Sequence, residues 1–281
     1  MQVKIVIGTV AFMLTMMILG FAVLREPARL AEASAAAEGR SIEAGAHIYE
    51  NNCASCHGEH GEAAECFDAA GEQIGCQGLP LNDYDLLCGD PTYRMETMSW
   101  NGTKGDFVKT TIAAGRFGTV MPVWSEQFGG PMRPDQVENV ANFVLNWEGE
   151  ELCAEEPVRY EWPEVATDYL AGDGANGDAA NGAELYVSYG CSGCHGDIAV
   201  SGSNSVGPWL GDIADVGPTR VEGQDTVQYV YESILDPNVF VVEDCPSGPC
   251  AVPSAMPENF ARRMGTTPAD MADVLAYLLG Q

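Results

Sequence analysis

Basic residues are scarce in this chain. Lys and Arg together number 13 against 41 Asp and Glu in 281 residues, giving a formal net charge of -28. Three of the thirteen, Lys4, Arg25 and Arg29, fall in the first thirty residues, which leaves the rest more acidic still. A surface of this kind repels phosphate backbones, so nucleic acid is excluded as a partner. Charge of either sign is also modest, at 19% of residues, while 46% are hydrophobic. That balance excludes a disordered chain. The acidity fits either a solvated, non-aggregating surface or one that docks a basic partner, and composition alone leaves both open. Length leaves no room for one very large core: at roughly 150 residues per domain, the chain holds about two.

Ile5 to Leu24 contains no charged residue and is flanked by Lys4 and Arg25. Twenty helical residues span roughly 30 Å, the thickness of a bilayer's hydrocarbon layer. The apolar region of a cleaved secretory signal normally runs only ~7–15 residues. The small-residue site Ala33-Ser34-Ala35 also lies too far beyond Leu24 for usual cleavage. The segment is therefore expected to remain as a single-pass anchor over residues 1–30. Arg25 and Arg29 oppose Lys4, so charge does not orient it. The ten cysteines do: an even count behind an export-type segment implies an oxidising compartment, with the body on the outer face of the membrane.

Residues 53–57 read Cys-Ala-Ser-Cys-His and residues 191–195 read Cys-Ser-Gly-Cys-His. Cys-x-x-Cys-His is the attachment pattern of c-type haem. Thiols at Cys53 and Cys56, and again at Cys191 and Cys194, leave one helical turn together and can form thioethers with the two vinyl groups of one porphyrin. The adjacent His57 or His195 then lies beneath the ring with a nitrogen for the iron. Zinc is a poor account, because two sequence-distant motifs would have to converge. A thioredoxin-like site needs no histidine, and no βαβ pattern surrounds either motif. The context repeats too. Gly45-Ala46-His47-Ile48-Tyr49 precedes the first motif and Gly182-Ala183-Glu184-Leu185-Tyr186 the second. Met121-Pro122 and Met256-Pro257 follow the histidines by 64 and 61 residues. Each half closes on an amphipathic helical pattern, through Val137, Val140, Ala141, Val144 and Leu145, and through Met271, Val274, Leu275, Leu278 and Leu279. Helix-start signals precede both, at Arg133-Pro134-Asp135 and Thr267-Pro268-Ala269-Asp270.

With these features in the same order twice, the sequence resembles the class I cytochrome c family, in a membrane-anchored diheme arrangement. The resemblance implies a mainly α fold: a transmembrane helix, then cytochrome c domains at 38–153 and 176–281 around an acidic, glycine-rich linker at 154–175. It implies two covalently bound haems c, with His57 and Met121 ligating one iron and His195 and Met256 the other. It also implies a proline carbonyl accepting the free ring N–H of each histidine, which matches Pro208 and, in the first half, Pro80. Met95, Met98, Met132, Met264 and Met271 compete as ligands, but methionine is commonly a core gap-filler, and only the Met-Pro pairs occupy corresponding places in the repeat. His47 and His60 read as surface residues.

The first half departs from the second by ten extra residues between histidine and proline, and these carry Cys66 and Cys76. A loop insertion closed at its base by a disulfide accounts for both. Six non-haem cysteines allow 15 connectivities. The expected set is Cys66–Cys76, Cys88–Cys153 and Cys245–Cys250, the last closing the turn-rich Cys-Pro-Ser-Gly-Pro-Cys. The run over residues 148–180 reads as a solvated connection that leaves the angle between the halves free.

Nothing in the sequence supplies an acid, base or nucleophile constellation, and Met/His ligation suits outer-sphere transfer. The expected function is electron transfer at the outer face of a bacterial cytoplasmic membrane, without an activity of the chain's own. Expected partners are the lipid bilayer, subunits of a quinol-oxidising or oxidase complex, and a soluble redox protein. The diheme subunit of cbb-type oxidases is the alternative within this class. A diheme peroxidase or sulfur-compound dehydrogenase is the alternative from another class.

Overall fold

The structure, a computed structural model, describes residues 2–68, 70–117 and 119–280. It is mostly helical, with two short antiparallel hairpins, Cys66–Phe67 with Gln73–Ile74 and Asp244–Cys245 with Gly248–Pro249. All three expected disulfides form: Cys66–Cys76, Cys88–Cys153 and Cys245–Cys250.

The first helix runs unbroken from Gln2 to Asn52, with Pro27 inside it. Its apolar part is exposed throughout, Phe12 at 62% and Leu24 at 82%, and it is, among the described residues, the one helix long and apolar enough to cross a membrane. The anchor expected over residues 1–30 and the start of the domain expected from residue 38 share this one helix. Ala and Glu dominate residues 31–44, both strong helix formers, so no local signal stops the helix between the two roles. At 1.5 Å per residue it extends about 76 Å.

Two hydrophobic cores follow, each built on a crossing of two helices. In the first, the end of Gln2–Asn52 crosses Pro134–Leu145, and Tyr49, Val137, Val140, Ala141 and Val144 are buried between them. Pro134 opens that second helix, and the Gln136 side chain accepts from the Arg133 N–H at 3.1 Å. In the second core, Ala179–Ser188 crosses Ala269–Leu279 over Tyr186, Met271, Val274, Leu275 and Leu278. Asp178 caps the former by accepting from Ala180 N at 2.8 Å.

Each crossing is centred on a glycine. A Cβ at Gly45 would fall 2.0 Å from the Asn139 carbonyl oxygen, and one at Gly182 would fall 1.9 Å from that of Asp273. The backbones therefore approach to a distance that no other residue permits. These are the glycines of the repeated Gly-Ala pair.

The acidic connection does not float free. Tyr169 is 0% and Ala166 1% exposed within the second core. Tyr160 N donates to Gly265 O at 2.8 Å, Trp162 Nε1 to Ala261 O at 2.8 Å, and Tyr231 Oη to Pro163 O at 2.9 Å. Glutamates and glycines in this segment favour a solvated connection, but the aromatic residues between them pack into the second core, and that packing decides the matter.

Candidate haem-binding sites

The two Cys-x-x-Cys-His segments form short helices, Ala54–His57 and Cys191–His195, each directly after the first helix of its core. A buried tyrosine holds each in place. Tyr49 Oη donates to Gly58 O at 2.8 Å, and Tyr186 Oη donates to Gly196 O at 3.0 Å. Both accepting glycines have positive φ, 80° and 73°, which lets the chain turn sharply after the histidine. The sequence carries the signal for this pair in Tyr49 and Tyr186 at equivalent places, but their hydroxyl partners are not legible without the fold.

Cys53, Cys56, Cys191 and Cys194 are the cysteines left outside the disulfides. Burial pushes the Cys53 and Cys191 thiols up to about 12, so they sit protonated rather than as thiolates. Burial likewise holds both imidazoles below their usual range, and hence neutral and able to donate a lone pair.

Each histidine is oriented by a backbone carbonyl. His195 Nδ1 lies 2.7 Å from Pro208 O, and His57 Nδ1 lies 2.7 Å from Leu79 O. The first-half acceptor is therefore Leu79 and not Pro80. The Pro80 carbonyl accepts instead from Arg94 Nη2 at 2.5 Å. What the halves share is a glycine followed by the acceptor, Gly78-Leu79 and Gly207-Pro208. A Cβ on either glycine would fall 2.4 Å from His57 Nδ1 or 2.5 Å from His195 Cε1. With Nδ1 committed as a donor to a carbonyl, Nε2 is the nitrogen left with its lone pair.

His195 and Met256 line one cavity, walled by apolar side chains that include Leu210, Ile234, Phe260, Met264 and Leu278. The Met256 N–H donates to Ser254 Oγ at 3.2 Å. Met121 stands in the same kind of turn, its N–H donating to Thr119 Oγ1 at 3.2 Å, and its carbonyl accepts from Arg116 N at 3.1 Å. The Met121-Pro122 stretch lies close over Gly115, where a Cβ would fall 2.6 Å from Pro122 O. Met121 is half-exposed. Met95, Met132 and Met271 are buried core residues and Met98 is exposed. Met264 is fully buried and also reaches the Met256 cavity. His47 and His60 are exposed.

In each half a thiol pair one helical turn apart lies beside a neutral, oriented imidazole, a donor set that fits haem c, and in the second half Met256 shares the cavity of His195. The set does not fit zinc. Among the described residues, no three His, Cys, Asp or Glu side chains gather to hold a metal ion.

Comparison with known proteins agrees. The cytochrome c family matches residues 42–148. The cbb3-type cytochrome c oxidase subunit FixP of Bradyrhizobium sp. (strain ORS 278) is 28% identical over 203 residues, covering 69% of this chain and 55% of that protein. FixP of Bradyrhizobium diazoefficiens is 28% identical over 207 residues, with 69% and 56% covered. The cbb3-type cytochrome c oxidase subunit CcoP of Azospirillum sp. (strain B510) is 25% identical over 220 residues, with 70% and 58% covered. The chain thus spans a little over half the length of the curated relatives it matches. No solved structure matches it significantly. The oriented His57 behind its paired thiols stands within residues 42–148, the part of this mostly helical chain that matches the cytochrome c family.

Proposed function

We propose that the chain is a membrane-anchored diheme cytochrome c that carries electrons as a subunit of a cbb-type terminal oxidase. The observation that carries the reading is the duplicated histidine geometry: in each half a glycine admits a backbone carbonyl to 2.7 Å from the ring nitrogen beside a free thiol pair. Domains at 38–153 and 176–281 each hold one haem. Cys53 and Cys56 attach the first and Cys191 and Cys194 the second, with His57 and Met121, and His195 and Met256, as the axial pairs. Bound haem c supplies a one-electron Fe(III)/Fe(II) couple.

The chain's residues tune and shield that couple. The carbonyls of Leu79 and Pro208 fix each imidazole's tautomer and raise its basicity. The apolar wall around His195 and Met256 keeps water from the second site. A methionine at each sixth position favours reduced iron, which suits a carrier near the oxidase end of a chain. Its similarity to cbb3-type oxidase subunits favours an oxidase over a quinol-oxidising complex as the assembly. A soluble redox protein or a neighbouring subunit is the source of electrons. Residues 5–24 cross the cytoplasmic membrane and the body lies on its outer side, where the three disulfides are stable.

Purification of the full chain from membranes tests this directly. The expected result is two acid-stable haems per chain and co-purification with oxidase subunits. One haem per chain, or haem lost on acid-acetone extraction, overturns the diheme reading. Recovery with quinol-oxidising subunits instead overturns the choice of assembly.

A further inference from the structure

The disulfide-closed insertion of the first half does not project into solvent. It lies against the second Cys-x-x-Cys-His segment. Gly190, which precedes Cys191, packs so tightly on Cys76 that a Cβ there would fall 1.8 Å from its carbonyl oxygen. Gly190 has φ of 83°, so both its conformation and its contact require glycine. Gly75 faces Ser192 in the same way, with a Cβ position 2.5 Å from Oγ. Gln77 Nε2 donates to Gly193 O at 3.0 Å. The next two residues serve the first motif, since Gly78 N donates to Cys56 O at 2.8 Å and Leu79 O accepts from His57. Five consecutive residues, 75–79, thus touch both haem-attachment motifs.

A second, independent contact closes the other side of the junction. Asp85 belongs to the first core, and its side chain is 6% exposed. It accepts from Arg159 Nη2 at 3.0 Å and from Arg262 Nε and Nη2 at 3.0 and 2.8 Å. Arg262 also lies 3.8 Å over the Tyr93 ring. Arg159 comes from the connection and Arg262 from the second half. A chain with so few cations spends two of them on one buried carboxylate, a geometry held only when every partner is in place.

We propose that residues 75–77 and the Asp85 clasp form a seam that locks the two haem sites at one fixed separation, with Asp85 and Gly75 as positioning residues for electron exchange between them. This rests on the diheme reading above. The exchange itself moves one electron: iron at one site goes from Fe(II) to Fe(III) as iron at the other goes from Fe(III) to Fe(II). No bond forms or breaks and no proton moves. Because transfer between fixed centres falls steeply with distance, a rigid seam sets the rate where a loose linker would spread it.

The test uses the full haem-loaded chain in detergent, as wild type, Asp85→Ala and Gly75→Val. The second variant wedges the seam against Ser192 and Val187 while leaving the cysteines and histidine of both motifs, and the clasp, unsubstituted. Haem content is counted in each, magnetic coupling between the two ferric centres is read by electron paramagnetic resonance, and trypsin cleavage after Arg159 is timed. The expected result is two haems in all three proteins, coupling in the wild type that both variants weaken, and cleavage about tenfold faster or more in the variants, because a broken buried pair lets the junction open. Unchanged coupling together with unchanged cleavage in both variants overturns the seam. A wild type with one haem overturns the diheme reading instead. The cleavage rates then still decide whether the halves are locked, faster cleavage supporting the seam and equal cleavage ending it.

Discussion

At Gly78 and Gly207 the main chain comes closer to an imidazole than any side chain permits. Gly78→Ala is therefore expected to displace His57, and Gly207→Ala His195, each lowering haem content or ligand-field strength at its own site with little effect on the other. Haem quantification and visible spectra of the two variants check this. Pro80→Ala gives the contrasting expectation of an unchanged first site, because the acceptor for His57 is Leu79 O; a shift as large as that of Gly78→Ala would contradict the assignment. Substituting Met121→His or Met256→His is expected to lower one of two midpoint potentials and remove half of the far-red sulfur-to-iron band, since imidazole favours ferric iron more than a thioether does. Redox titration of each variant reads the outcome, and loss of the band on Met264→His alone would transfer the second-site role from Met256. These residues differ in how openly the sequence displays them. Thiols and imidazoles act through their own atoms, so Cys-x-x-Cys-His is readable as chemistry. The carbonyl of Leu79 belongs to the backbone and leaves no trace in the residue's identity, which is why proline was the wrong guide in the first half.

The helical elements were legible wherever one face is buried. Val137 to Leu145 and Met271 to Leu279 show their apolar stripe in the sequence, and those are the faces packed in the two cores. The crossing partner, by contrast, is marked only by Gly45 and Gly182, whose meaning depends on a helix more than ninety residues away. Gly182→Ala is expected to force the helices apart against the Asp273 carbonyl and to destabilise the second core by at least ~1–3 kcal/mol, as overpacking does. Tyr49→Phe leaves the Gly58 carbonyl without its 2.8 Å donor, at a cost of about 1–3 kcal/mol for a buried group left unpaired. Denaturant unfolding followed by the absorbance of each site measures both. A midpoint unchanged in either variant would show that the crossing or the tyrosine latch carries no stability. At 154–175 composition misleads for a related reason. Composition reports what a segment exposes on average, whereas Tyr169 and Trp162 are held by particular partners, Pro268 O at 2.6 Å and Ala261 O at 2.8 Å.

Across the whole molecule, one continuous helix joins the exposed apolar segment to the first core. Its residues from Ile5 to Leu24 are exposed and uncharged, those from 31 to 44 are rich in Ala and Glu, and Gly45 and Tyr49 are the residues buried within it. Neither core therefore uses anything before residue 31. Water is a poor solvent for the apolar part: some twenty consecutive apolar side chains with no cover drive either insertion or aggregation. The remainder carries all of the chain's acidic excess, since Lys4, Arg25 and Arg29 outnumber Glu26 in the first thirty residues, and that excess keeps it dispersed. Deleting residues 1–30 is thus expected to yield a monomer that is soluble without detergent and retains the haem content and both redox transitions of the full chain, provided an export signal is supplied in place of the deleted segment. The full chain is expected to sediment with membranes and to need detergent for extraction. Fractionation, sedimentation velocity and redox titration of the two forms decide the matter. If the full chain is recovered as a soluble monomer with residues 1–30 still attached, the helix is not an anchor. If the shortened chain loses the first haem, the apolar stretch supports the first core through a contact absent from this fold.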